Sequence, residues 1–494
     1  MPTGKLTSIL LVITAFGAAV GCATPARAKI IEDPSGSLAT LTSIGDALNA
    51  PDHHPVHILY VHGINQVGAG DSAMLRESIC TRLKLCDVKD GKNAGVEFPN
   101  RGEFADGVNP PPLTYLGSPV WKSADEWHAA APFVVHWVVH LRGHSAVLVV
   151  DEINWWPLLL SLKCRRVMVP EAHLAGPDRD LLQFCSDRNA QEPDGMGRFY
   201  AWVTPEDAAQ LERLKPQGAW LNRNLKNNLV DWGLADVLLA TGQLDGILRD
   251  GIRQLMAKSA AFDPIQAAAT PNAGAANEHY NWKAQLGNAK TLDQEFVGVT
   301  HSLGAYLFFN ALNPDNLHAA SPEPSTQQAA MDAAEDANED SAVRYMFERT
   351  SQVYFFANQI QMLDITNLEY APPPAPAFQS RGLDAPPTSA APAENFRALV
   401  NRWKQMQADF QTTLHQGDEG ARKKVQVVAW SDPSDVITFR VPKIGDVDVV
   451  NLYVRNAPRW FGFFEGPAAA HDDYAKNKDV LRVMFKSTGN PIGH

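Results

Sequence analysis

The chain has 494 residues, 45% hydrophobic and 20% charged, which is ordinary globular composition with ample material for a large core. Its formal net charge is −12. That acidic balance argues against a nucleic-acid partner, which demands basic patches. The small clusters Lys163-Cys164-Arg165-Arg166 and Arg422-Lys423-Lys424 read as solvated segment ends.

The N-terminus reads as a targeting segment, residues 1–28. Lys5 is the only charge before Arg27, Ser8 to Gly21 is apolar, and Ala26-Arg27-Ala28 offers a small-x-small cleavage site. Ala19-Val20-Gly21-Cys22 also resembles a bacterial lipobox, which would place a lipid on Cys22. Both readings imply export, to the periplasm, to the outer membrane as a lipoprotein, or out of the cell. The remaining cysteines, Cys80, Cys86, Cys164 and Cys185, suit two disulfides in an exported chain. Local pairing, Cys80–Cys86 and Cys164–Cys185, is the expectation. No C-x-x-C is present, so a thiol redox site or zinc ribbon finds no support.

Residues 29–55 predict an irregular lead-in. A strand follows from His57 and ends in His62-Gly63-Ile64-Asn65. Gly63 allows the backbone to turn so that the N–H of Ile64 points into a site. His53, His54 and His57, beside Asp52, fit no metal-ligand spacing and read as surface and strand residues. Asp71 to Cys86 predicts a helix with Met74, Leu75, Ile79 and Leu83 on one face. Residues 87–131 read as loop. Phe133–Leu141 and Ala146–Val150 read as valine-rich strands. Ser145 is no nucleophile, because it precedes a strand and Val147 stands where glycine is needed.

Residues 151–290 form a long insertion. Trp155-Trp156-Pro157-Leu158-Leu159-Leu160 reads as core, a helix pair is expected around 231–239 and 244–256, and 259–279 reads as a loose loop. Glu295–Thr300 then predicts a buried strand and Leu303–Leu312 a buried helix. Thr300-His301-Ser302-Leu303-Gly304 sits between them. A serine on a sharp strand-to-helix turn stands clear of the sheet, and Gly304 keeps the crowded turn free of a side chain. Thr300 departs from the usual glycine two residues before the serine. The N–H of Leu303 would face developing negative charge.

Residues 313–339 and 371–395 are further insertions, rich in Ala, Pro and acid and in Pro and Ala respectively; the first reads as a solvated helix or as disorder. Gln352–Ala357 predicts a strand and Phe396–Leu414 a helix, with His415 at its end in a dipole role. Val425–Trp430 predicts the next strand. It runs into Ser431-Asp432-Pro433-Ser434-Asp435-Val436-Ile437. A carboxylate in the turn after a late strand suits the task of orienting an imidazole. Asp435, before an apolar pair, is preferred; Asp432, before proline, is the alternative acid. His471 lies in an expected loop before a last helix with Val480, Leu481, Met484 and Phe485 on one face.

Tyr60-Val61-His62-Gly63-Ile64, Thr300-His301-Ser302-Leu303-Gly304, Asp435-Val436-Ile437 and Ala470-His471 together resemble the α/β-hydrolase superfamily in its serine lipase/esterase branch. The resemblance implies an α/β fold, a mostly parallel central sheet with helices on both faces, over a single catalytic domain, 29–494. It implies Ser302 as nucleophile, His471 as base, Asp435 as acid and the N–H groups of Ile64 and Leu303 as oxyanion donors. His62, Gly63, His301 and Gly304 support these motifs. It implies small-molecule or lipid esters as substrates and neither metal nor organic cofactor. Thioesters or amides, or a non-catalytic envelope scaffold with hydrolase-like architecture, are the rival readings.

Overall fold

The computed structural model describes residues 41–50, 54–64, 70–86, 96–101, 131–142, 147–166, 233–269, 292–312, 327–363, 396–414, 425–456 and 464–485, a few single positions aside, with short pieces near 23, 31, 114–130, 285–289 and 459. Outside the described residues lie Cys22, the Ala26–Ala28 cleavage site, Ser145, Cys185, His415, Arg422–Lys424, and the insertions 371–395 and most of 167–230.

Nine strands form one sheet: β1 (Ile31–Glu32), β2 (Val56–Val61), β3 (Val96–Arg101), β4 (Phe133–His140), β5 (Val147–Asn154), β6 (Glu295–His301), β7 (Thr350–Phe356), β8 (Gln426–Ser431) and β9 (Asp448–Tyr453). Their spatial order is β1-β9-β8-β7-β6-β2-β5-β4-β3. From β9 across to β5 every pairing is parallel; β1, β4 and β3 pair antiparallel with their neighbours. The fold is therefore α/β with a mostly parallel sheet.

The described helices include α1 (Ile44–Leu48), α2 (Ala73–Thr81), α3 (Trp156–Arg166), α4 (Asp245–Ala261), α5 (Gly304–Asn310), α6 (Gln327–Glu348), α7 (Phe396–Leu414), α8 (Pro467–Asp472) and α9 (Lys478–Phe485). Alternate strand residues point to opposite faces, and two apolar clusters result. Leu59, Val61, Phe296, Val353 and Val427 join α4, α5, α6 and α7 on one face. Ile58, Tyr60, Val299, Tyr354 and Val428 join α1, α2 and α9 on the other. Burial on both faces explains why these strands read as continuous apolar runs.

The topology fixes where a site can form. β2 and β6 are neighbours. From β2 the chain goes on to β3, β4 and β5 on one side; from β6 it goes on to β7, β8 and β9 on the other. Connections thus leave the carboxyl ends of β2 and β6 in opposite directions. In open α/β sheets such a divergence opens a crevice.

Several expectations need correction. The lead-in carries α1, capped reciprocally by Ser43 and Asp46. The predicted loop 87–131 contains β3, whose Pro99 is tolerated because β3 is an edge strand. The strand expected to stop at Val150 continues to Asn154 through buried Asp151 and Glu152. Charge does not end the strand here, because partners from neighbouring elements satisfy both carboxylates. Asp151 accepts from Nδ1 of His57 at 2.7 Å and of His136 at 2.5 Å. His57 is thus core, and Asp293, 3.0 Å from His54, is that histidine's partner. Glu152 accepts the N–H groups of Gly70, Asp71 and Ser72 at the start of α2. Lys163 is not a solvated segment end; it is buried against Asp236 at 2.7 Å.

α4 runs on to Ala261 and a short helix, Pro264–Ala269, follows, so the expected loop begins later than 259. Within 313–339 the helical alternative holds from Gln327 onward. β9 carried no prediction. Cys80 and Cys86 are disulfide-bonded, as the local pairing anticipated. The Trp155–Leu160 run is core.

Burial alone would raise the Asp151 carboxyl, but the two imidazoles outweigh it and hold the group below its usual range. A depressed carboxyl stabilises the fold above its unfolded pKa, and that contribution is lost as pH falls through the folded value. Asp151→Asn should therefore cost roughly 3–5 kcal/mol at pH 7 in urea unfolding, as for a broken buried pair. The gap to wild type should narrow below about pH 4.

Candidate active site

Ser302 follows β6 directly. Its φ is +53°, left-handed backbone that a non-glycine residue adopts at a cost of order 1 kcal/mol or more. Tertiary contacts impose it. The Ser302 N–H donates to Phe356 O of β7 at 2.8 Å, extending the β6–β7 ladder by one bond. A Cβ on Gly304 would lie 2.2 Å from Val61 O, so only glycine lets the start of α5 pass the end of β2. A Cβ on Gly63 would lie 2.7 Å from the Ser302 Cβ. Both glycines singled out in the sequence are thus spaced by close approach around Ser302. Thr300, the departure from the usual pattern, is buried between Val61 and Phe355 within the sheet, where a β-branched residue packs well.

The loop after β2 is pinned from below. His62 is buried, stacks on Trp155 with ring centroids 4.7 Å apart, and its Nδ1 lies 2.8 Å from Gly63 O. Burial pushes its imidazole down to about 3, so it is neutral and donates from Nδ1. The Trp155 indole N–H donates to His62 O at 3.1 Å. Ile64 packs against the core beside this turn. Leu303 is buried, and N–H groups entering a helix lack an acceptor four residues back.

The two candidate acids have different partners. Asp432 accepts from Ser434 N–H at 2.8 Å and Asn456 N–H at 2.6 Å, which makes it a turn former. Asp435 accepts from Ile437 N–H at 3.1 Å, and its Oδ2 lies 2.9 Å from His471 Nδ1. His471 is not on a loop as expected. It lies in the last turn of α8, followed by a short 3-10 helix, Asp473–Lys476, and α9. Buried Tyr474 ties this segment to the acid turn by accepting the Asp432 N–H at 2.6 Å.

His301 joins the two halves. Its Nε2 lies 2.9 Å from the backbone oxygen of His471, and the two rings are 4.9 Å apart. Burial, with the nearby His471 charge, lowers its imidazole to about 4. It is therefore neutral at pH 7 and donates from Nε2. His301, His471 and Asp472 are the one group among the described residues whose ligand atoms converge within 4.8 Å for a metal ion. His301 Nε2 and His471 Nδ1 are engaged in hydrogen bonds to a backbone oxygen and to Asp435, and the other ring nitrogen of each stays available.

The resting contacts of the nucleophile involve a residue that sequence reasoning missed. Ser302 Oγ accepts from the Gln359 amide nitrogen at 2.6 Å. His471 Nε2 is buried without a hydrogen-bond partner among the described residues. A serine–imidazole bond is thus not made here, and such bonds often tighten only with substrate bound. A polar Asn358-Gln359 pair directly after an apolar strand was the one available signal for Gln359.

No family model, curated protein or solved structure matches the chain.

A further group titrates beside this loop. Tyr60, two residues before His62, donates to Asp71 Oδ2 at 3.1 Å. Burial, then the charges of Glu152 and Asp472, push the Asp71 carboxyl up from 3.8 to about 7. A raised carboxyl binds a proton on folding, so stability should fall as pH rises from about 4 to about 7 and level off above. Asp71→Asn removes that penalty. Relative to wild type, the variant should gain urea resistance between pH 5 and pH 8; an unchanged difference would show that Asp71 ionises normally.

Proposed function

We propose that the protein is an exported serine hydrolase of carboxylic esters, with the α/β-hydrolase arrangement of nucleophile, base and acid. The observation that carries the reading is the left-handed Ser302 between Gly63 and Gly304, at the strand ends that also hold the His471–Asp435 pair at 2.9 Å. An ordinary strand-to-helix turn has no need of a strained serine.

The chemistry follows from the placement. Ser302 Oγ attacks the acyl carbon, a new C–O bond forms, and the carbonyl π pair moves onto oxygen. The Ser302 proton passes to Nε2 of His471, the nitrogen without a hydrogen-bond partner among the described residues. Asp435 holds Nδ1–H, fixing the tautomer and stabilising the imidazolium. The N–H groups of Ile64 and Leu303 are the oxyanion donors in this reading. Collapse breaks the ester C–O bond, and His471 returns its proton to the leaving alcohol. Water then repeats the sequence on the acyl-enzyme. No step calls for a metal or organic cofactor. The Cys80–Cys86 disulfide supports export, since such bonds persist in oxidising compartments. Lipid on Cys22 or a mature N-terminus at Lys29 are the two forms that export would give, separable by mass spectrometry.

Ser302→Ala should abolish both ester hydrolysis and fluorophosphonate labelling in a folded protein; labelling that survives would remove Ser302 from the role. Asp435→Asn should lower kcat by about four orders of magnitude, because the imidazole takes the wrong tautomer. Asp432→Asn should instead cost about 1 kcal/mol of stability through its turn, with kcat nearly intact.

A further inference from the structure

Two strained residues stand side by side at the top of the sheet. Ser302 follows β6, and Ala357 follows the neighbouring strand β7; both have φ of +53°. The first turn presents a nucleophile. The second presents Gln359. Asn358, at the centre of this second turn, is buried and tied on several sides. It exchanges backbone and side-chain hydrogen bonds with Phe439, donates to Gln361 Oε1 at 2.6 Å, and accepts from the Ile360 N–H at 3.1 Å. The Ala357 N–H donates to Trp430 O of β8 at 3.2 Å. The structure thus holds an alanine in backbone that disfavours it, and the result is an amide placed on Ser302 Oγ at 2.6 Å.

Packing does not explain the choice of side chain. Gln359 is buried, and its Oε1 has no hydrogen-bond partner among the described residues. An unpaired buried amide oxygen disfavours folding, so an apolar residue of the same length would be the more stable occupant. Strain and an unsatisfied polar group at one spot mark a functional constraint.

The direction of the hydrogen bond says what the amide does. Gln359 donates, so it occupies a lone pair of Oγ and leaves the Ser302 proton free for His471 Nε2. During attack an Oγ lone pair becomes the new bond to carbon. The negative charge appears on the carbonyl oxygen, attached to the carbon that Oγ attacks. We propose that Gln359 is a catalytic residue of this site: its side-chain amide donates to Ser302 Oγ at rest and to the oxyanion in the tetrahedral intermediate, as a third donor beside the backbone N–H groups of Ile64 and Leu303. No proton is transferred to or from Gln359; the bonds made and broken are those of acyl transfer. The assignment rests on the serine-hydrolase reading above.

Gln359→Met keeps length and removes the donor. In the full chain it should lower kcat on a short-chain aryl ester by on the order of 10²-fold, the usual effect of losing one oxyanion donor, with KM little changed. The rate of fluorophosphonate labelling should fall in parallel, since that reaction also builds charge on an oxygen beside Oγ. Thermal melting shows whether the variant is folded. If Gln359→Met does not fold, Gln359→Asn, which withdraws the amide by one methylene, is expected to show the same kcat loss. A folded variant with wild-type kcat overturns the proposal. So does one with higher kcat, which would make the amide a restraint on the resting serine. A rise in KM alone overturns it as well, because the contact would then serve substrate binding. Absence of labelling in the unaltered protein would be a failure of the hydrolase reading itself, and is separable from all of these.

Discussion

The hydrogen bond from the Ser302 N–H to Phe356 O is the contact on which the site depends. It carries the β6–β7 ladder one residue past the strand and forces the backbone at Ser302 into left-handed space. A single serine adopts that conformation only where its surroundings over-determine it. Here they do so from two directions. The end of β2 crowds the turn through Val61 and His62, and Gly63 and Gly304 are the residues that make that crowding survivable. Neither glycine is a matter of chain flexibility; Gly304 marks a place where two backbones nearly touch, and Gly63 a place where the Ser302 and His301 side chains come up against the β2 loop.

The rest of the architecture supports that junction. Parallel strands buried on both faces are rigid, and the divergence of the chain between β2 and β6 leaves their carboxyl ends uncovered by a direct connection. Residues far apart in sequence then meet there. Trp155 lies under the His62 turn, Tyr474 binds the Asp432 turn, and His301 reaches the backbone of His471. These contacts act on backbone atoms, which fixes position more firmly than a side-chain contact would. Buried charge is satisfied where it occurs: Asp151 between two histidines, Glu152 at the start of α2.

The protonation states follow from burial. His62 and His301 are kept neutral by desolvation, so each donates from one nitrogen to a backbone carbonyl and serves as a fixed strut. Asp71, beside the site, has a value near neutrality, because burial and two neighbouring carboxylates all oppose its charge. The same fold thus contains histidines that do not titrate near pH 7 and an aspartate that does.

Local sequence determined the elements whose signal is local. Apolar runs of five to eight residues marked β2, β4, β6, β7 and β8, and Phe396–Leu414 was legible end to end from helical spacing. The serine turn was legible because strand, turn and helix follow one another within sixteen residues, Glu295 to Asn310. Asp435 was legible as a candidate, but its preference over Asp432 rested on neighbours in sequence; the partner of each carboxylate comes from a distant segment. What only the tertiary structure decided was everything that depends on a second chain segment. β3 and the charged end of β5 became strands because neighbours paired with them, against their own Pro99 and Asp151-Glu152. Lys163 is core because Asp236 meets it. Gln359 stands at the nucleophile because β7 lies beside β6, and no spacing along the chain encodes that adjacency.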